Sequence, residues 1–209
     1  MKVIVFGSTG ATGKELVAAL LKDSRIKEVI AISRRKFFDP SPKLQELIVD
    51  FDQLASNAQD FSGDIAYSCL GTTLKDAGSK EKQWLIDYDY QLLFASLCKA
   101  NGVKHFVLLS ALGVDEGSAV FYNRMKGSLE QSIKALNFDK LTIIQPSLIL
   151  RPDSTRTMEV IGGKLMSALS SLGIMKKYAP ISTTDLAAVI LRASMENQER
   201  LYVLERKDF

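Results

Sequence analysis

Tyr122 and Lys126 stand four residues apart in a stretch whose apolar residues recur at helical spacing, so their side chains share one face. Ser110 closes an apolar run twelve residues before that tyrosine. A free phenol titrates near ~10 and a lysine near ~10.4, so neither does acid–base work at neutral pH alone. An ammonium beside a phenol favours the phenolate, and the positive charge of an oxidised nicotinamide adds to that pull. A phenol tuned in this way gives or takes a proton at working pH. The matching chemistry is carbonyl reduction. Tyr122 would protonate the developing alkoxide as hydride arrives, Ser110 would hold the same oxygen, and Lys126 would also grip the nicotinamide ribose. Tyrosine and lysine at this spacing also describe an amphipathic helix with a half-buried ring and a solvated amine. What selects the chemical reading is order: a glycine loop, a strand-end serine, then the tyrosine and lysine.

Hydride needs a carrier, and the start of the chain offers a place for one. Val3-Ile4-Val5-Phe6 reads as a buried strand, and Gly7, Gly10 and Gly13 follow at spacing three before a helical pattern at Leu16, Val17, Leu20 and Leu21. Strand, glycine turn and helix form the layout that receives a dinucleotide diphosphate, on the unpaired amides of the helix N-terminus. Gly7, Ser8, Thr9, Gly10, Ala11, Thr12 and Gly13 are the candidates for that loop. Their G-x-x-G-x-x-G spacing departs from the G-x-G-x-x-G fingerprint, and an ordinary strand-to-helix turn is the alternative.

The second strand ends Ile32-Ser33-Arg34-Arg35-Lys36 with no carboxylate. A carboxylate there would bind the adenosine 2′-hydroxyl, whereas a guanidinium accommodates a 2′-phosphate through charge-assisted hydrogen bonds. Arg34 and Arg35 therefore favour NADP(H) over NAD(H), with a solvated basic loop as the bland alternative. Asp50 ends the third strand, where it would accept from an adenine amino group with Phe51 against the ring; a plain strand-end carboxylate fits equally. In Cys69-Leu70-Gly71-Thr72-Thr73, Gly71 would pass close to the cofactor and Thr72 would bond phosphate or ribose. Cys69 reads as a small buried residue.

The elements that must position these residues alternate. Strands are expected at Lys2–Phe6, Glu28–Ser33, Leu47–Asp50, Ile65–Cys69, His105–Ser110 and Leu141–Gln145, with a last one at Leu201–Leu204. Helices are expected at Thr12–Lys22, Gln53–Asn57, Tyr88–Asn101, Phe121–Leu136, Met158–Leu172 and Asp185–Met195, the last capped by Thr183 or Thr184. Short apolar strands between helices predict an α/β fold with a doubly wound parallel sheet, ligands lying at the C-terminal strand ends. One domain over 1–209 is expected, with 147–182 as a small C-terminal lobe on the substrate side. In that lobe Arg151 and Arg156 are candidate anchors for an acidic group, or ordinary solvated arginines. Trp84, Tyr88 and Tyr90 would wall a pocket or simply fill core.

Composition narrows the classes. The 209 residues are 46% hydrophobic with mixed charges, which suits a folded domain and excludes a disordered chain. A net charge of +3 is too small to argue for nucleic acid. No apolar run reaches the ~18 residues a bilayer span needs, and no signal-peptide pattern is present. Two cysteines make no disulfide framework, which points to the cytoplasm. One histidine, His105, and no cysteine pair at ligand spacing leave no metal site.

Together, Gly7–Gly13, Ser110, Tyr122-x-x-x-Lys126 and Pro146 resemble the short-chain dehydrogenase/reductase superfamily, in its extended and atypical branches. Ser33-Arg34-Arg35-Lys36, Val49-Asp50-Phe51, Cys69–Thr73, Lys104–Ser110 and Gln145–Leu148 narrow the resemblance to the Tat-interacting oxidoreductase family, close to NmrA-like proteins. The likeness runs through nearly all of 1–160. It implies a Rossmann fold and NADPH, contacted by Thr9, Gly10, Ala11, Thr12, Arg34, Arg35, Leu70 and Gly71, and flanked by Leu148, Ile149 and Arg156. It implies Tyr122 as proton donor and Lys126 as its partner. Ala111 stands where relatives often carry a second serine. The expected function is NADPH-dependent reduction of a small carbonyl or quinone by a monomer or homodimer. The alternative is a nucleotide-bound regulator that contacts a protein partner and turns over little.

Overall fold

The computed structural model describes residues 1–150 and 178–209. Seven strands are β1 (Lys2–Phe6), β2 (Glu28–Ser33), β3 (Leu44–Ile48), β4 (Ile65–Ser68), β5 (His105–Leu109), β6 (Lys140–Gln145) and β9 (Leu201–Glu205). They form one parallel sheet in the order β3-β2-β1-β4-β5-β6-β9. A parallel pair, β7 (Ile149–Leu150) and β8 (Ile181–Ser182), stands apart from it.

Strand side chains alternate between faces, and both faces are apolar, so each acquires its own core. Ile4, Phe6, Ile32, Phe106 and Ile143 point to one side, against Phe94 of α4 (Tyr90–Ala100) and Leu129 and Ile133 of α5 (Phe121–Ala135). Val3, Val5, Tyr67, Val107 and Ile144 point to the other. There they meet Leu16, Val17 and Leu20 of α1 (Ala11–Lys22), and Leu186 and Ile190 of α6 (Thr183–Glu196). On that side Tyr67 Oη and Ser194 Oγ hydrogen-bond at 2.8 Å. The chain leaves β1 towards β2 and β3, then returns to put β4 on β1's other side. That reversal opens a crevice between the loops that follow β1 and β4, where such sheets bind ligands.

The expected strands at β1, β2, β4, β5, β6 and β9 are present within a residue or so at their ends. β3 lies earlier than the expected Leu47–Asp50, pairing Leu44 with Val29 and Ile48 with Ser33. As an edge strand it carries Gln45 and Glu46, which break the apolar run a reader looks for. Its Glu46 carboxylate accepts from the Phe37 N–H at 2.8 Å. Asp50 has left the strand and caps a 3₁₀ segment, Phe51–Asp60, that replaces the expected helix Gln53–Asn57. Ser182, not Thr183 or Thr184, caps α6, its Oγ accepting from the Asp185 N–H at 3.0 Å.

The helix expected at Tyr88–Asn101 begins earlier. After a single turn, α2 (Leu74–Ala77), the chain enters α3 (Lys80–Trp84) under a Ser79 cap and passes through a widened π-type turn, Leu85–Asp89, into α4. Polar Lys80, Glu81 and Lys82 hid that first turn. The aromatics of this run are cement between helices: Trp84 lies 4.9 Å from Tyr88 and 6.2 Å from Phe121, and Tyr88 Oη bonds Ser132 Oγ at 2.7 Å. They lock α5, and with it Tyr122 and Lys126, against α3 and α4. Arg151, Arg156, the expected helix Met158–Leu172 and most of the expected 147–182 lobe lie outside the described residues.

Candidate cofactor and catalytic site

The glycine loop closes on itself and on β4. Gly7 has φ +77°, and a Cβ there would sit 2.5 Å from the Leu70 amide nitrogen. A Cβ on Gly13 would sit 2.1 Å from the Gly7 carbonyl oxygen, so α1 packs directly on the turn. The first backbone bond of α1 runs from the Lys14 N–H to the Gly10 carbonyl at 3.0 Å. The amides of Ala11, Thr12 and Gly13 therefore precede the helical ladder, and Gly10 supplies no side-chain cap. No acidic residue occupies the first turn. An uncapped positive helix end facing a crevice suits a diphosphate.

Two adjoining cavities share Gly10, Cys69, Leu70 and Gly71 in their walls. The larger, about 440 Å³, is also bordered by Gly7, Thr9, Ile32, Arg34, Arg35 and Phe51. Arg34 places its guanidinium 5.7 Å from the Phe51 ring centroid, a cation–π contact. Arg34 and Arg35 are exposed and form no ion pair with a described residue. The smaller cavity, about 180 Å³, is bordered by Ala11, Thr12, Thr72, Asp87, Leu109, Ser110, Tyr122, Lys126 and Ile149. The loop, the basic strand end and the tyrosine–lysine pair thus meet along one crevice, whose shape and donors fit a dinucleotide.

Tyr122 is half-buried, and its hydroxyl has no hydrogen-bond partner among the described residues. Lys126 Nζ lies 3.0 Å from Asp87 Oδ1, a buried ion pair. Asp87 Oδ2 accepts from the Thr72 N–H at 3.0 Å. Cys69 borders both cavities, and burial pushes its thiol up to about 12, so it is no nucleophile at neutral pH. His105 lies at the other end of β5, against Thr142 Oγ1 at 2.9 Å, and burial lowers it to about 3.

Some expected residues take other roles. The Ser8 hydroxyl is buried and donates to the Ile32 carbonyl at 2.8 Å, pinning the loop to β2 instead of facing the crevice. Ser110 reaches the small cavity, but its hydroxyl donates to Glu130 Oε1. Gln145 Nε2 donates to the same oxygen at 2.9 Å. The proton that Ser110 was expected to offer a substrate oxygen is thus engaged by Glu130. Asp50 borders neither cavity, and its carboxylate accepts from the Asp52 N–H at 3.1 Å. Pro146 is buried and its carbonyl holds the Leu112 N–H at 2.9 Å, steadying the segment after Ser110. Leu148 is exposed beside β8, whose Ile181 N–H bonds its carbonyl at 3.0 Å.

Asp87, Glu130 and Gln145 escaped the sequence reading. Glu130 carried a signal, since Tyr122, Lys126 and Glu130 recur every four residues on α5 and so share a face. Gly127 also mattered unnoticed. A Cβ there would lie 2.4 Å from the backbone of Asp115 and Glu116, where the loop after β5 crosses α5. Gly127→Ala should displace that loop and destabilise the fold by about 1–3 kcal/mol, despite alanine's better helix propensity. A stability equal to wild type in urea unfolding would show that the crossing tolerates a methyl group.

The family model described as NAD(P)H-binding matches residues 7–197. Protein HTATIP2 of Rattus norvegicus is 34% identical over 201 residues, covering 93% of this chain and 80% of that protein. The mitochondrial protein FMP52 of Chaetomium globosum is 31% identical over 218 residues, covering 98% and 94%. Among solved structures, MoeE5 in complex with UDP-glucose and NAD superposes with a TM-score of 0.74 at 16% identity, covering 98% of this chain and 75% of that one. The Bordetella bronchiseptica enzyme WbmH with NAD⁺ gives 0.73 at 18%, with the same coverage. At such identities these two establish the fold alone. Among the described residues no helix is long and apolar enough to cross a membrane. A Rossmann sheet, an open helix end at its crossover, a family model matched over most of the chain and a relative 34% identical leave one assignment: the chain belongs to the NAD(P)H-binding family, as a homologue of HTATIP2.

Proposed function

We propose that this chain is an NADPH-dependent reductase of a small carbonyl or quinone. The observation that carries the reading is Tyr122: a half-buried phenol with no described partner, in one cavity with Lys126, next to the glycine loop. The bound dinucleotide would supply hydride. The amides of Ala11, Thr12 and Gly13 hold its diphosphate, and Arg34 and Arg35 hold the 2′-phosphate beyond Phe51. Gly71 borders both halves of the crevice, and Thr72 borders the half that holds Tyr122. Lys126 orients the nicotinamide ribose and supports Tyr122, which protonates the substrate oxygen. Arg156, from the segment outside the described residues, is proposed to flank the cofactor. Cys69 and Cys98 are free thiols, which supports a reducing compartment, the cytoplasm in our reading; the FMP52 relatives carry a mitochondrial designation.

A second reading, a nucleotide-bound regulator with a protein partner and little turnover, draws on one observation. Ser110 donates inward to Glu130, and Ala111 supplies no hydroxyl in its place, so the substrate oxygen has fewer donors. NADPH oxidation followed at 340 nm against aldehydes, ketones and quinones separates the two. Turnover on any panel member supports the reductase; tight NADPH binding with no turnover supports the regulator.

The coenzyme preference has its own test. Arg34→Ala removes a charge-assisted contact worth about 1.5–3 kcal/mol, so NADPH affinity should fall roughly 10- to 100-fold. NADH affinity should stay within about twofold, since NADH has no 2′-phosphate to lose. Equal losses for both coenzymes in fluorescence titrations would remove Arg34 from the phosphate site.

A further inference from the structure

Asp87 is fixed from every side. It sits on the widened turn before α4, its side chain 1% exposed, and it faces a Lys126 that is 3% exposed. Apart from that ammonium, Oδ1 has no hydrogen-bond partner among the described residues. Oδ2 takes the Thr72 N–H. Its backbone carbonyl accepts from Gln91 Nε2 at 2.8 Å, and Gln91 Oε1 in turn accepts from Ser68 Oγ at 2.8 Å. Gly71 passes so close that a Cβ on it would lie 3.3 Å from Oδ1. One carboxylate therefore ties the loop after β4, the π-type turn and α5 together at the edge of the cavity that holds Tyr122. Widened turns of this kind recur where a helix must aim a functional side chain.

We propose that Asp87 is a positioning residue: it holds the Lys126 ammonium beneath the Gly71–Thr72 loop and, as a fixed counter-charge, tempers that ammonium's pull on the Tyr122 phenolate. The inference rests on the tyrosine–lysine reading of the site. A lone ammonium acts on a phenol as a full charge. With a carboxylate 3.0 Å away it acts as a dipole, whose influence fades faster with distance. The other charged groups around Lys126 remain in place when Asp87 changes. On α5 these are Glu130, held by Ser110 and Gln145, and Lys134, 3.9 Å from Glu130. From the end of β4 comes Cys69, whose buried thiol stays neutral. The loop crossing Gly127 brings only the backbone of Asp115 and Glu116 against α5.

Asp87→Asn deletes the charge and keeps the shape. Followed by ¹³C-tyrosine NMR, with the Tyr122 signal assigned from Tyr122→Phe, the phenol's titration midpoint should move down by about one pH unit or more. Tyr122 acts as an acid in reduction and must be protonated, so the alkaline limb of the pH–rate profile should move down with it. An unmoved or raised midpoint in folded Asp87→Asn overturns the inference, because a structural role alone moves stability and not the titration. Asp87→Asn/Lys126→Gln replaces the ion pair by a neutral hydrogen-bonding pair and guards against a misfolded single variant. Its midpoint should stay within about half a unit of wild type, whereas a rise of about one unit or more would show that Lys126 had acted unopposed. The titration needs no turnover. A chain that shows these shifts yet reduces nothing sinks the reductase and leaves the role of Asp87 standing.

Discussion

Tyr122→Phe is expected to reduce turnover with NADPH by about 10²- to 10⁴-fold, the range lost with a general acid, while coenzyme affinity stays within about twofold. The substitution removes one oxygen and keeps the ring. That oxygen makes no hydrogen bond to a described residue, so its loss leaves no buried partner stranded and should cost little stability. Activity and fold are thereby separable. Lys126→Met would disturb both, because it leaves Asp87 buried without its ammonium. Steady-state rates on whichever panel substrate is reduced, beside NADPH fluorescence titration, measure the two quantities. Wild-type turnover in Tyr122→Phe would remove the phenol from the chemistry and move the search to Thr72 and the backbone of the loop.

Gly13→Val should abolish measurable coenzyme binding, a loss of at least about 100-fold. The position sits in the first turn of α1, where a Cβ would lie 2.1 Å from the Gly7 carbonyl oxygen and 3.0 Å from Ser8 Cα. Both obstacles are backbone, so neither yields by a rotamer change. The helix must withdraw from the loop, and its leading amides withdraw from the diphosphate with it. Overpacking of this kind costs about 1–3 kcal/mol, which lowers the melting temperature by roughly 2–4 °C per kcal/mol in a chain of this size. Gly10→Ala is the control, since its Cβ would meet the Gly7 carbonyl oxygen at a milder 3.2 Å. If Gly13→Val bound NADPH like Gly10→Ala, the close contact would have no part in shaping the site.

Much of this architecture is written locally in the chain. Continuous runs such as Val3–Phe6 and Phe106–Leu109 form strands covered on both faces, and three glycines after the first of them mark the loop. Tyr122 and Lys126 were legible because a helix repeats every three to four residues. What stayed hidden depends on distant partners. β3 is an edge strand in which Gln45 and Glu46 interrupt the apolar residues, so it carries no apolar run. Asp87 looks like one more acid on an amphipathic segment until the π-type turn carries it beneath Gly71. Ser110 borders the smaller cavity, and the direction of its hydroxyl is decided by Glu130, twenty residues on. Sequence spacing says which side chains share a face of one element; it does not say where a proton on that face will point.

The packing of α1 against α6 has a consequence for biogenesis. The helix that follows the glycine loop shares its side of the sheet with residues 183–196, and Thr184 reaches Glu15 across the join. While the chain is being translated, every central strand is complete long before that second helix leaves the ribosome. Until that helix arrives, this apolar face lacks part of its cover, and such surface recruits chaperones or other nascent chains.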